Sequence, residues 1–246
     1  MPPRFRPDRA FFLDLDGTLF EIRTSPDAVR REAAEVKLVA RLLEATGGAV
    51  ALVSGRALGT IDALFAPLDL PAAGQHGAER RDAQGRLTRV ELPSKPFDAA
   101  ARMLRGFAAR HQGLLFEHKG LSFALHYRLA PHLADEARAA AEQAASLLGP
   151  AMELQSGKMV FELKPAGYDK GRAIEAFMRE PPFAGRVPLF LGDDLTDEHG
   201  FRIVNDMGGE SVKVGEGESE ARFRLEAPAA VRAWLAQGLA EHAAGR

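Results

Sequence analysis

Two aspartates separated by one apolar residue follow a short apolar run near the start of the chain. Phe11-Phe12-Leu13 leads into Asp14-Leu15-Asp16, and Gly17-Thr18 comes directly afterwards. The run predicts a buried strand of a parallel sheet, and the glycine and threonine predict a turn at its end. Open α/β sheets bind their ligands at the carboxyl ends of strands. Paired anions at that position favour a bound divalent cation, and hard oxygen ligands suit Mg2+.

Polar side chains also follow two other apolar runs. Ser54 follows the run 49–53, and Gly192-Asp193-Asp194 follows the run 187–191. Because the carboxyl ends of parallel strands share one edge of a sheet, these carboxylates would crowd together unless a cation neutralised them. This convergence disfavours the simpler alternative, an acidic loop that only follows a core strand.

A lysine and a hydroxyl complete a set of groups that could bind and transfer a phosphoryl group. Lys170 stands at a predicted helix start and could place a positive charge beside the carboxylates. A lysine, a hydroxyl, several carboxylates and helix N-termini together describe a phosphate site built around a metal. One aspartate of the first pair could attack phosphorus and form an aspartyl-phosphate. The other could protonate the leaving alkoxide and then activate water.

The composition excludes several other classes of protein. The chain has 246 residues, a formal net charge of −2 and no cysteine. It therefore has no basic field for nucleic acid or an anionic membrane, and no disulfide, cysteine nucleophile or thiolate zinc site. Asp14 interrupts the first apolar run too early for a signal peptide, and no stretch approaches a membrane span. We expect a cytoplasmic protein, taken as a monomer, without nucleic-acid or membrane partners.

The order of the predicted elements indicates two domains. Strands and helices alternate in the first part of the chain, with Ser25 as the N-cap of the first helix, and alternate again from Lys170 onwards. This alternation predicts an α/β core with a doubly wound parallel sheet, formed by residues 1–93 and 167–246. Over 94–166 a helix-strand-strand pattern occurs twice, which predicts an inserted α+β domain with helices on one face of an antiparallel sheet.

The predicted strands of the inserted domain each have an apolar and a polar face. In the strand 158–164, Met159, Phe161 and Leu163 would share the apolar face because side chains alternate along a strand. Such a polar face is usually only solvated. If this face lay over the predicted phosphate site, its fixed carboxylates and ammonium groups would suit the hydroxyls of a sugar. The polar faces of the strands would carry Glu117, Lys119, Ser122, His126, Arg128, Lys158, Glu162 and Lys164.

Four segments occur in the order of the four motifs of the haloacid dehalogenase (HAD) superfamily phosphatases: Asp14-Leu15-Asp16-Gly17-Thr18, Ser54, Lys170 and Gly192-Asp193-Asp194. The resemblance implies a HAD-like, Rossmannoid core with an inserted cap. It implies Asp14 as nucleophile and Asp16 as general acid/base, with Ser54 and Lys170 holding the phosphoryl oxygens. It further implies that Mg2+ is bound by Asp14, the backbone carbonyl of Asp16, and Asp193. Asp194 and Asp197 would act only indirectly.

The chain resembles the trehalose-6-phosphate phosphatases, in their stand-alone form, over nearly its whole length. The matching stretches include Gly74–Arg81, Glu117–Gly120, His126–Arg128, Gly157–Glu162 and Gly192–Glu198. The resemblance implies that trehalose 6-phosphate is the substrate. The implied sugar-binding residues are Glu117, Lys119, Lys158 and Glu162, with Arg128 as a weaker candidate.

Other interpretations stay open at this point. A sucrose-phosphate or mannosyl-3-phosphoglycerate phosphatase would share the chemistry, and a sugar-phosphate sensor would lack it. His76 and His126 are expected to have structural roles. Arg56 either pairs with an aspartate near the site or contacts the substrate.

Overall fold

The computed structural model of the chain describes residues 2–22 and 31–245, and it divides into two compact units. The first unit consists of Met1–Thr88 and Asp169–Arg246, and the second consists of Arg89–Tyr168. The predicted helix start at Ser25 lies outside the described residues. Among the described helices, none combines the length and the apolar character needed to cross a membrane.

The described strands are, in chain order, β1 (Ala10–Leu13), β2 (Val50–Val53), β3 (Ala72–Gly74), β4 (Glu79–Arg81), β5 (Leu87–Arg89), β6 (Leu115–His118), β7 (Phe123–His126), β8 (Met152–Gly157), β9 (Val160–Pro165), β10 (Pro188–Gly192), β11 (Glu210–Val214) and β12 (Phe223–Leu225). The α-helices are α1 (Ala33–Ala45), α2 (Leu58–Phe65), α3 (Ser94–Arg110), α4 (Ala134–Leu148), α5 (Lys170–Met178), α6 (Glu198–Asp206) and α7 (Pro228–Ala244).

The larger sheet has the strand order β12-β11-β10-β1-β2-β3-β4-β5. Neighbouring strands from β12 to β3 pair in parallel, and β4 pairs antiparallel with β3. This order confirms the predicted doubly wound parallel sheet. It also makes β10, β1 and β2 neighbours, so the polar residues after these three strands meet at one edge.

Both faces of this sheet are covered, which explains why β1 is an unbroken apolar run. Phe11 and Leu13 belong to one buried cluster, whereas Phe12 belongs to another on the opposite face. Phe12 packs against Phe177 and Phe183, with ring centroids 6.0 and 5.5 Å away. A strand buried on both faces has no position for a polar side chain until it ends.

The second unit contains an antiparallel sheet with the order β6-β7-β9-β8 and the helices α3 and α4. Phe161 and Leu163 belong to its core, as the alternation predicted, together with Phe123 and apolar residues of both helices. The placement of Met159 on the same apolar face was wrong. Met159 lies in the turn before β9, has a φ of 63° and is 41% exposed, because the period of two does not continue through the turn.

Candidate active site

The ends of three neighbouring strands bring the predicted motifs together. Asp14 follows β1, Ser54 follows β2 and Asp193 follows β10. The Asp14 amide donates to the Leu191 carbonyl at 3.0 Å, so the turn after β1 is fixed against the end of β10. Ser54 is buried, and its Oγ accepts a hydrogen bond from the Arg56 amide at 3.2 Å.

Lys170 lies at the centre of the site, at the first position of α5. Its Nζ donates to Asp14 Oδ1 and to Asp197 Oδ1, each at 2.7 Å. All three side chains are buried, with exposed fractions of 3% for Lys170, 5% for Asp14 and 0% for Asp197. An ammonium group carries three N–H donors. Lys170 therefore keeps one donor for a further acceptor, such as a phosphoryl oxygen.

Three carboxylates of this site lie close enough together to attract a divalent cation. One oxygen each of Asp14, Asp193 and Asp197 lies within 4.8 Å of the others. Three carboxylates facing one buried ammonium leave an excess of negative charge, and oxygen donors suit a hard cation. Asp193 is the freest of the three for this purpose, because no donor among the described residues contacts its carboxylate.

The environment of these groups perturbs their protonation. Burial, together with the charges of Asp197 and Asp193, raises the pKa of Asp14 well above its ordinary range, although Lys170 acts in the opposite direction. Burial and the Asp197 carboxylate raise the pKa of Asp193 to about 7. Burial by itself would lower the pKa of Lys170, but the carboxylates of Asp14 and Asp197 outweigh it and raise that pKa. The lysine therefore stays charged, and the acids need further positive charge to be fully ionised.

Asp16 is oriented by an arginine from the next strand end. Arg56 Nε and Nη2 donate to Asp16 Oδ2 and Oδ1 at 2.6 and 2.7 Å, which makes a bidentate pair. The Asp16 side chain is 40% exposed, whereas that of Arg56 is 10% exposed. Asp14 and Asp16 thus have different surroundings, since one is buried on Lys170 and the other faces outward on Arg56.

The acidic segment after β10 folds back on itself in a short 3₁₀ turn, Leu195–Asp197. Asp194 caps this turn by accepting from the Leu195 amide at 2.8 Å. Asp197 Oδ2 accepts from the amides of Asp193 and Asp194, each at 3.0 Å, while its Oδ1 accepts from Lys170. Both carboxylate oxygens of Asp197 therefore already accept hydrogen bonds within the protein, which favours a role in positioning Lys170 and the turn.

Three of the predicted sugar-binding residues of the second unit make side-chain contacts across its sheet. Glu117 Oε2 lies 2.9 Å from His126 Nε2, and the Lys119 ammonium donates to Glu162 Oε1 at 3.2 Å. Burial would raise the pKa of Glu117, but its hydrogen bond to His126 and the charge of Lys119 outweigh this and lower it. The polar face therefore presents fixed carboxylates and an ammonium group.

The other two predicted residues of this face are more exposed. Lys158 lies in the last turn before β9, and its backbone carbonyl accepts a 3.4 Å hydrogen bond from Arg128 Nη2. Both side chains are exposed. Within the second unit they lie near one another, as expected for residues on adjoining ends of β7 and β9.

Two residues near the first unit's site were not assigned a direct part by sequence reasoning. Asp197 was expected to act only indirectly, and the sequence did not indicate that its carboxylate accepts a hydrogen bond from Lys170. Lys213 of β11 is buried, and its ammonium donates to the backbone carbonyl of Asp193. A lysine between two valines of the strand Glu210–Val214 was the available signal for Lys213.

Comparison with known proteins assigns the chain to a family. A family model described as Trehalose-phosphatase matches residues 12–229. The chain belongs to the trehalose-phosphatase family. A "Trehalose-6-phosphate phosphatase" of Escherichia coli (strain K12) is 47% identical over 237 residues, which cover 95% of this chain and 87% of that protein. A "Probable trehalose-phosphate phosphatase" of Sinorhizobium fredii (strain NBRC 101917 / NGR234) is 44% identical over 206 residues, which cover 84% of this chain and 77% of that protein.

Two solved structures share the fold of this chain. One, titled "Crystal structure of trehalose-6-phosphate phosphatase related protein", has a TM-score of 0.82 at 28% identity and covers 96% of this chain and 99% of its own. The C-terminal domain of a Candida albicans trehalose-6-phosphate phosphatase also has a TM-score of 0.82, at 20% identity, and covers 98% of this chain and 99% of its own. At that identity the second likeness concerns the fold alone.

Proposed function

We propose that the chain is a Mg2+-dependent phosphatase that hydrolyses trehalose 6-phosphate to trehalose and inorganic phosphate. The observation that carries the proposal is the buried contact of Lys170 with Asp14, beside Asp193, in a member of the trehalose-phosphatase family. A buried carboxylate held by a lysine and poised near a cation site has the surroundings that phosphoryl transfer to a side chain requires.

The metal part of the proposal is that Asp14, Asp193 and the backbone carbonyl of Asp16 hold Mg2+. A bound divalent cation would polarise a phosphoryl oxygen and neutralise part of the carboxylate charge. The oxygen donors of Asp14 and Asp193 support this assignment, and the occupied oxygens of Asp197 support its place outside the set of direct ligands.

In the first proposed step, an Asp14 carboxylate oxygen attacks phosphorus, and the bond between phosphorus and the sugar oxygen breaks. Asp16 donates a proton to that leaving oxygen, so trehalose departs as a neutral alcohol. The third N–H of Lys170 and the Ser54 hydroxyl donate to phosphoryl oxygens and balance the charge on the transferring group.

In the second proposed step, Asp16 takes a proton from water, and the water oxygen attacks the phosphorus bound to Asp14. The bond between phosphorus and the Asp14 oxygen breaks, which releases inorganic phosphate, restores the Asp14 carboxylate and leaves Asp16 protonated for the next cycle. The two aspartates can act differently because their neighbours differ, Lys170 for Asp14 and Arg56 for Asp16.

We also propose that the inserted domain, predicted over 94–166, selects the sugar. Its polar face would bind hydroxyl groups, since carboxylates accept and ammonium groups donate hydrogen bonds. The pairing of Lys119 with Glu162 within that face supports the proposal, because groups already fixed lose less entropy on binding. The residues proposed to bind the sugar are Glu117, Lys119, Lys158, Glu162 and Arg128. A monomeric state and a cytoplasmic location stay predictions.

The test is phosphate release from a panel of sugar phosphates with and without EDTA. The panel contains trehalose 6-phosphate, sucrose 6-phosphate, mannosyl-3-phosphoglycerate and glucose 6-phosphate, and Asp14→Asn serves as the inactive control. We expect preferred release from trehalose 6-phosphate, loss with EDTA and recovery with Mg2+. Faster release from another member of the panel would overturn the assigned substrate. Binding of trehalose 6-phosphate without any release would indicate a sensor instead.

A further inference from the structure

A short turn next to the site packs closely against the segment that carries Ser54. We call residues 54–57, between β2 and α2, the Ser54 loop, and residues 74–79 the supporting turn. The Gln75 amide donates to the Arg56 carbonyl at 2.9 Å, and the His76 amide donates to the Ser54 carbonyl at 3.0 Å. Two successive amides of the supporting turn thus bind two carbonyls of the Ser54 loop.

Glu79 holds both segments through one buried carboxylate. Its Oε1 accepts from the Leu58 amide at 2.7 Å and from the Gln75 side-chain amide at 3.1 Å. Leu58 is the first residue of α2, so Glu79 serves as the cap of that helix from a different part of the chain. The exposed fraction of Glu79 is 8% and that of Gln75 is 1%.

The supporting turn has a backbone conformation that must be maintained by its surroundings. Gln75 and His76 have φ values of 47° and 58°, in the left-handed region that residues other than glycine rarely adopt. Such conformations persist where neighbouring groups over-determine them. Glu79, which accepts from the Gln75 side chain, and the Ser54 loop, which accepts from the Gln75 and His76 amides, fix the turn in this way.

Close packing leaves little room for either segment to shift. A Cβ at Gly55 would lie 2.8 Å from His76 Nε2, and a Cβ at Gly74 would lie 2.8 Å from the Arg56 carbonyl oxygen. On its other side, a Cβ at Gly77 would lie 3.1 Å from the Asp169 carbonyl oxygen, next to Lys170. The supporting turn therefore contacts the Ser54 loop and the start of α5.

We infer that Glu79 is a positioning residue for the phosphatase reaction, acting through the Ser54 loop. By fixing the start of α2 and the side chain of Gln75, it holds the Ser54 hydroxyl and the Arg56 guanidinium, which in turn orients Asp16. The inference rests on the proposed function, because it takes the roles of Ser54 and Asp16 from it. Glu79 itself contacts no reacting atom in this scheme.

The first experiment compares Glu79→Ala with Glu79→Gln. Glutamine keeps an oxygen that can accept both hydrogen bonds, whereas alanine removes it. We expect kcat for trehalose 6-phosphate to fall about 100-fold in Glu79→Ala, since a displacement near 1 Å can cost that much, with a much smaller change in KM. We expect Glu79→Gln to restore most of kcat. Hydrogen exchange at the amides of Leu58, Gln75 and His76 should be faster in Glu79→Ala only.

A second pair of variants tests the same hydrogen bond from the donor side. Leu58→Pro removes the N–H that Glu79 accepts, and proline is favoured at the first position of a helix. Leu58→Ala keeps the N–H and loses a similar amount of side-chain packing. We expect kcat to fall in Leu58→Pro well below its value in Leu58→Ala. Equal kcat values in the two variants would overturn the inference.

The matched control is Asp82→Ala. Asp82 is also a buried acid, with an exposed fraction of 5%, and it accepts from the backbone amides of Gln84 and Arg86, each at 2.9 Å, in the next turn of the chain. The Asp82→Ala variant should lower the free energy of unfolding, as Glu79→Ala does, and leave kcat nearly unchanged. If both variants lose kcat in proportion to their loss of stability, Glu79 is merely structural and the inference fails.

The outcomes separate this inference from the proposed function. If the wild type releases no phosphate from trehalose 6-phosphate, the proposed function fails, and the exchange rates alone decide whether Glu79 fixes the Ser54 loop. If the wild type is active and Glu79→Ala keeps its kcat, the inference fails while the proposed function stands. Reduced kcat with rescue by Glu79→Gln supports the inference.

Discussion

Replacing Lys170 by methionine should remove a large part of the stability of the first unit when no divalent cation is bound. The ammonium lies 2.7 Å from one oxygen of Asp14 and 2.7 Å from one oxygen of Asp197, and all three side chains are buried. Methionine has a similar volume and no charge, so the change leaves two buried carboxylates without their cation. Removing one partner of a buried ion pair costs roughly 3–5 kcal/mol. That is a large part of the roughly 5–15 kcal/mol that stabilises a typical domain.

Urea unfolding followed by tryptophan fluorescence is the appropriate assay. Trp234 is the single tryptophan of the chain and lies in α7 of the first unit, so its signal reports on the unit that contains Lys170. Measurements in EDTA should give the full loss. Excess Mg2+ at 100 times the variant's dissociation constant should stabilise the variant by about 2.7 kcal/mol relative to its own value in EDTA. Lys37→Met, on the exposed side of α1, is the control and should change the free energy of unfolding by less than about 0.5 kcal/mol.

A double variant tests whether the loss arises from the unpaired carboxylates. In Lys170→Met with Asp197→Asn, one of the two stranded charges is gone, so the double variant should be more stable than the sum of the single losses predicts. A coupling above about 1 kcal/mol is expected for groups in direct contact. A loss below about 1 kcal/mol in Lys170→Met, or strict additivity with Asp197→Asn, would refute the account of the buried network.

Three further predictions concern protonation, orientation and the sugar. The raised pKa of Asp193, about 7 compared with 3.8 for an ordinary aspartate, means that its favourable contribution to the stability of the metal-free protein is present below pH 4 and is lost as the pH rises through 7. In EDTA at pH 8, the melting temperature of Asp193→Asn should therefore be higher than that of the wild type. The difference should be smaller at pH 5 in EDTA, and smaller at pH 8 when excess Mg2+ replaces EDTA. Calorimetry in which the wild type melts at the higher temperature in EDTA at pH 8 would contradict this sign. Arg56→Lys should lower kcat about tenfold in steady-state assays, because lysine cannot hold both oxygens of the neighbouring carboxylate, whereas Arg202→Lys at an exposed bidentate pair should not. Glu162→Gln should lower kcat/KM for trehalose 6-phosphate and spare p-nitrophenyl phosphate, while Glu142→Gln on the exposed side of α4 should change neither; equal losses on both substrates would refute a role for Glu162 in sugar binding.

The strand ends of the first unit could be predicted because each buried strand is an apolar run that stops where polar residues begin. Asp14, Ser54 and Asp193 all follow such runs, and the parallel order of β10, β1 and β2 brings them to one edge. The two-sided burial of these strands makes the signal strong, since a polar residue within the run would have no partner. The same reasoning gave the faces of β7 and β9 in the second unit.

The detailed pairing within the site could not be predicted because it depends on turns and on distant partners. The segment after β10 contains several acids, and only the capped 3₁₀ turn determines that Asp197 faces Lys170. The pair between Arg56 and Asp16 joins residues 40 positions apart. Met159 was misplaced for a related reason, since a left-handed residue in a turn ends the alternation on which the prediction relied.

The most direct test of the central claim is to find which residue carries the phosphoryl group during turnover. The protein is mixed with trehalose 6-phosphate and Mg2+, quenched in acid and treated with borohydride, which reduces an acyl phosphate of aspartate to homoserine. Peptide mass analysis should then find homoserine at position 14, and none in Asp14→Asn. Active protein that yields no homoserine, or yields it at another aspartate, would contradict the assignment of Asp14 as the nucleophile.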